Sequence, residues 1–168
     1  MEINFRPDPT IWDGRFANNG WLQECPKPVS KLTWDNAAFV SPATAQRLQL
    51  ENNDLVELGL NGRTLKAPVW IQPGHADDAV TVHLGYGRKR AGNVGSGIGA
   101  NANELRSDDA LWFGYGLEIR KTGETYKLAT TQDHHSMEGR PIVRAATVSE
   151  FEKDPSFARE MAHVPADD

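Results

Sequence analysis

Asn61 and Gly62 separate two largely apolar runs, residues 55–60 and 63–71. A type I′ two-residue connection needs positive φ at both central positions, which asparagine and glycine tolerate best. Its twist also matches that of paired strands, so the middle of the chain is committed to an antiparallel hairpin. The same punctuation recurs elsewhere: 15 glycines and 10 prolines divide 168 residues into short runs. Such spacing favours many short strands over long helices.

Residues 31–40 read as a first strand anchored by Trp34 and Phe39. Ser41 followed by Pro42 is an N-cap and first-turn signal for a short helix. Pro73-Gly74 turns the chain, and residues 80–84 alternate as another strand. Residues 112–120 and 125–131 read as a second hairpin around Lys121-Thr122-Gly123-Glu124. Ser149 with Glu152 predicts a capping box, and Pro155 should break or kink the helix that follows. No βαβ rhythm or internal repeat is present. The expected fold is mostly β, a small closed or nearly closed barrel with a few short helices.

Three regions result. Residues 1–30 carry Pro7, Pro9, Pro26 and Pro28, which oppose regular structure. They also carry Phe5, Ile11, Trp12, Phe16 and Trp21, which are costly to leave in water. They read as an extended aromatic arm lying on this domain or on a neighbour. Residues 31–148 form the barrel domain, and residues 149–168 a short C-terminal helix and a frayed tail.

The chemistry-bearing segment is residues 84–103, with six glycines, three asparagines and the triplet Arg88-Lys89-Arg90. Glycines let a backbone approach a ligand and present its N–H groups, as anion-binding loops require. Arginine forks clamp phosphate, and asparagine amides read a polar ring edge. A net charge of −5 excludes a diffuse nucleic-acid surface, so the triplet suits one anionic group. The segment has no Gly-Lys-Ser/Thr ending, and its Gly-x-Gly-x-x-Ala match at Gly95–Ala100 lacks a strand before it and a helix after it.

Other chemistry finds little support. Cys25 is a lone thiol beside Glu24, which should raise its pKa. His134 and His135 are adjacent and would face opposite ways on a strand, His83 reads as a core or rim histidine, and no metal site is expected. No Gly-x-Ser-x-Gly elbow occurs, and Asp77-Asp78 and Asp108-Asp109 read as solvated turns. No catalytic set emerges, so the chain is not expected to be a complete enzyme. No run approaches a spanning helix, and the N-terminus does not read as a signal peptide.

Several segments in order carry a family resemblance: Asn18-Asn-Gly-Trp-Leu-Gln-Glu24, Lys31-Leu-Thr-Trp-Asp-Asn36, Ser41-Pro-Ala-Thr-Ala45, Ala67-Pro-Val69, Leu84-Gly-Tyr-Gly-Arg88 and Asn101-Ala-Asn-Glu-Leu-Arg106. Together they resemble the C-terminal, dinucleotide-binding domain of the molybdopterin oxidoreductase family. Within it, the runs starting at Asp8 and at Thr131 are similar to the large iron–sulfur subunit of bacterial alternative complex III. The resemblance implies a double-psi β-barrel lying over one half of a molybdopterin guanine dinucleotide. It implies a pocket lined by Gly85, Tyr86, Gly87, Arg88, Asn101 and Asn103, with Trp34 and Asn36 shaping the floor.

It leaves two readings open. In one, the full subunit holds the molybdenum cofactor, with metal and catalytic residues elsewhere and none of it held by this domain alone. In the other, the cofactor has been lost and the fold is kept as scaffold. Implied partners are the remaining domains of the same subunit and the iron–sulfur and membrane subunits of a respiratory electron-transfer complex. Neither nucleic acid nor direct membrane insertion is implied. The implied location is a membrane-associated complex on the periplasmic face, the isolated domain being soluble.

Overall fold

The structure is a computed structural model that describes residues 1–131 and 143–160. The chain divides into two compact units, Met1–Thr131 and Gln132–Asp168. In chain order the first unit comprises β1 (Glu2–Arg6), α1 (Gly20–Glu24), β2 (Leu32–Thr33), β3 (Ala38–Val40), α2 (Pro42–Leu48), β4 (Asp54–Leu60), β5 (Arg63–Ile71), β6 (Ala79–His83), α3 (Gly92–Gly95), β7 (Phe113–Tyr115), β8 (Glu118–Thr125) and β9 (Ala129–Thr130). The second unit's described helices are α4 (Val148–Lys153) and α5 (Phe157–Glu160). The expected mostly β class with short helices is what forms.

Seven strands make one mixed sheet in the order β7-β1-β6-β3-β5-β4-β8, and β2 pairs separately with β9. The pairs β1–β6 and β3–β5 are parallel, and every other pair is antiparallel. The two edge strands, β7 and β8, are joined by Gly116 and Leu117 alone. Leu117 is buried and exchanges hydrogen bonds with Met1. The sheet's ends therefore converge, and it curls around its core. No ladder joins β7 to β8 among the described residues, so chain continuity brings the edges together in a form compatible with a barrel. Inside lie Ile3, Phe5, Val40, Val56, Leu58, Val69, Val80 and Val82, supplied by the alternate positions of five strands.

Local signals that are self-contained come out as expected. Asn61 and Gly62 have φ of 49° and 76° in the β4–β5 turn. Ser41 Oγ accepts from Thr44 N at 3.0 Å at the start of α2.

Elsewhere the structure differs. Residues 1–30 contain α1 and also β1, which sits between β6 and β7 with Ile3 and Phe5 buried. The prolines begin only after β1 ends. Residues 31–40 are two short strands, because Trp34 at φ 65° breaks the run. The expected hairpin around residues 121–124 is absent, since those residues lie inside β8, which pairs with β4. Between the pairs Asp54–Thr125 and Val56–Lys121 the register shifts, and residues 122–124 form a bulge with Gly123 at φ 85°. The capping box is Thr147 with Glu150, two residues earlier than expected. That start lets α4 finish at Lys153, before the residue preceding Pro155, which disfavours helix. His134 and His135 lie outside the described residues. Among the described residues no helix is long and apolar enough to cross a membrane.

Candidate functional site

Strand β6 delivers the chain to the glycine-rich segment. Leu84 N donates to Arg6 O at 2.8 Å, and Gly85 then turns the backbone at φ 100°. Gly87 N donates to Ile98 O at 2.7 Å, and Gly97 N to Arg88 O at 2.8 Å, so the segment doubles back on itself. Asn36 pins it: its Nδ2 donates to His83 O and Ala100 O, and its Oδ1 accepts from Ala100 N, at 2.7–2.9 Å.

Five of the six glycines are held against other parts of the chain. A Cβ on Gly85 would lie 2.7 Å from Gly14 N, and one on Gly87 would lie 2.3 Å from Asn101 N. Gly92 meets the Asn18 side chain, Gly95 meets Ala17 O, and Gly99 meets Asn36 Oδ1. Of the six, only Gly97 has no neighbour within 4 Å among the described residues. Ala17, Asn18 and Gly14 belong to the proline-rich N-terminal stretch, which is therefore locked onto the loop.

The doubled-back segment lines a cleft of about 460 Å³. Of the eight residues singled out from the sequence, Gly85, Tyr86, Gly87, Arg88, Asn101 and Asn103 meet there. Lys89 and Arg90 add positive charge, and Asp13 and Glu104 add carboxylates. Asp13 is held by Arg15 at 2.8 Å, which pulls its carboxyl down to about 2. The asparagines are partly spent on each other: Asn101 Oδ1 accepts from Asn103 N, and Asn103 Oδ1 accepts from Arg106 at 2.9 Å. Arg88, Lys89 and Arg90 are exposed. The arrangement suits a charged, phosphate-bearing group.

Trp34 and Asn36 do not line this cleft. Trp34 is half-buried and donates its backbone N–H to Gln23 O at 2.9 Å. Asn36 is fully buried and acts as the loop's staple.

Beneath Tyr86 lies a polar network that sequence reasoning missed. Lys27 is 2% exposed, and its ammonium donates to Tyr86 Oη at 2.9 Å and to Asp35 O at 3.0 Å, with Asp8 Oδ2 at 3.6 Å. Asp8 is fully buried; its other oxygen accepts from Thr10 N, Thr10 Oγ1 and Ile11 N. Burial pushes the Lys27 pKa down against the pull of Asp8, and pushes the Tyr86 phenol up. Asp8, flanked by two prolines, carries no sequence signal of burial. The alternation Ile3-Asn4-Phe5-Arg6 before it was the available clue.

No family model matches the chain. Over 71 residues, 42% of its length, the chain is 35% identical to the thiosulfate reductase molybdopterin-containing subunit PhsA of Salmonella typhimurium. That match spans 9% of the relative. Among solved structures, acetylene hydratase from Pelobacter acetylenicus aligns at a TM-score of 0.47 and 17% identity, covering 65% of this chain and 15% of that one. The chain is thus similar in part to a molybdopterin-containing subunit and corresponds to a small fraction of its length.

Proposed function

We propose that this chain is a domain of a molybdopterin oxidoreductase subunit, forming one wall of a molybdopterin guanine dinucleotide pocket. The observation that carries the reading is the convergence of Gly85, Tyr86, Gly87, Arg88, Asn101 and Asn103 on one cleft. The similarity to a molybdopterin-containing subunit supports it. The donor set fits the group: Arg88, Lys89 and Arg90 supply cations for a diphosphate, and the asparagines face the same space for a base edge. The redox chemistry of such a cofactor belongs to its molybdenum. This chain's residues bind and orient the nucleotide end.

A second reading is that of a cofactor-free docking module in a quinol-oxidising membrane complex of the alternative complex III type. Five glycines packed against protein favour it, as do the exposed Trp112, Phe113 and Tyr115 at the β7 edge. In either reading the partners are the rest of its own subunit and the iron–sulfur and membrane subunits of a respiratory complex, on the periplasmic face.

The deciding experiment is an assay of the full-length subunit, purified in its intact complex, for molybdenum and for the fluorescent oxidised pterin released by acid. Stoichiometric metal and pterin are expected for the first reading. Their absence from intact complex would leave the scaffold reading.

A further inference from the structure

A second cleft, of about 440 Å³, lies on the outer face of β1, β6 and β3. Strand alternation builds its floor. Ile3, Phe5, Val80 and Val82 point into the core, so Asn4, Arg6, Thr81 and His83 face the other way. The parallel register sets Arg6 beside His83, and the antiparallel register sets Phe39 beside Thr81. Residues 27–30 and 74–76, with Pro9, wall the cleft in.

Its charge is one-sided. Among the described residues, Arg6, Lys27 and two histidines line it with no carboxylate, in a chain of net charge −5. Lys27 is committed to Asp8, Tyr86 and Asp35, which leaves Arg6 as the available cation. Arg6 is exposed and has no ion-pair partner among the described residues. Beside it, His83 Nδ1 is sealed from solvent, 3.5 Å from the fully buried carboxylate of Asp8. The two atoms make no hydrogen bond at this distance, but the nearby carboxylate favours the tautomer protonated at Nδ1, which leaves Nε2 as the ring's acceptor. The Phe39 ring stands 5.1 Å from the imidazole, at 53°, and gives the floor a flat apolar surface.

We propose that this cleft is a binding site for a flat organic monoanion carrying a hydroxyl or N–H donor, with Arg6 clamping the anion and His83 accepting from the donor. The volume suits a small ligand. The site shares no residue with the cleft at Gly85 and stands or falls independently of the reading proposed above.

The test is an NMR titration of the 168-residue chain with 4-hydroxybenzoate, following backbone amides and the His83 ring. Saturable shifts are expected at Arg6, Phe39, Thr81 and His83, with residues 85–103 unmoved. Benzoate, which lacks the donor, should bind roughly fivefold more weakly. Arg6→Met, an exposed change that leaves the core untouched, should weaken binding by roughly tenfold. The proposal is overturned by shifts that fail to saturate at millimolar ligand. It is equally overturned if Arg6→Met binds as tightly as the parent, or if benzyl alcohol matches 4-hydroxybenzoate.

Discussion

His83 and Asp8 face each other at 3.5 Å, one ring edge against a carboxylate that no solvent reaches. Burial pulls the imidazole pKa down to about 4; Asp8 opposes that shift, while Lys27 and Arg6 add to it. The sign for stability follows from proton counting. Between pH about 6.5 and about 4 the unfolded chain holds a proton on His83 that the folded chain lacks, so acidification through this window favours unfolding. The slope is at most about 1.4 kcal/mol per pH unit, and the whole loss about 3 kcal/mol. Urea midpoints at pH 7, 6 and 5 should fall steadily for the parent chain and less steeply for His83→Gln. Equal slopes in the two would assign the pH dependence to other groups. The histidine's place on a strand was legible from the alternation of residues 80–84. Its partner was not, because an aspartate between two prolines has the local signature of a solvated turn.

At the scale of elements, the close approaches of the glycine-rich segment are made to other parts of the same chain at five of its six glycines. Six glycines within 20 positions marked the loop as the place where backbone must come close to something. Composition alone does not distinguish a ligand from another stretch of the same chain, and here the close neighbour is mostly protein. Gly87 and Gly97 separate the two causes. Both have positive φ, 69° and 76°, but a Cβ on Gly87 would meet Asn101 backbone at 2.3 Å, whereas nothing lies within 4 Å at Gly97. Gly97→Ala should therefore cost only the left-handed backbone strain, about 1 kcal/mol. Gly87→Ala should cost about 1–3 kcal/mol more, because overpacked backbone cannot step aside as a flexible side chain can. Chemical denaturation of the two variants checks this. The same contrast explains β8: Gly123 has the local look of a hairpin turn, yet it is a bulge whose register is set by β4, more than 60 residues away.

The whole molecule divides its stability unevenly. Every buried hydrophobic side chain among the described residues lies between Ile3 and Leu128. In the second unit, Val148 and Phe151 on α4 are 74% and 51% exposed, and a helix of six residues is too short to persist on propensity alone. The prolines around residues 7–28 have the composition of an arm, yet β1 ahead of them is a strand of the sheet. Physically the edge strand β7 needs β1 to pair with, and β1 needs β6, so the first six residues connect β7 to the rest of the sheet. Two truncations follow as one prediction. A chain ending at Thr131 should melt within a few degrees of the parent, since no buried apolar side chain described in the structure is lost. A chain beginning at Pro7 loses Ile3 and Phe5, each worth about 1.5–3 kcal/mol of burial, together with two strand pairings. That sum approaches the entire stability of a domain this size, so circular dichroism should show no cooperative melt. A cooperative transition in the second chain would mean that β7 and β6 can close the sheet without β1, and that residues 1–6 are the appendage their neighbouring prolines suggest.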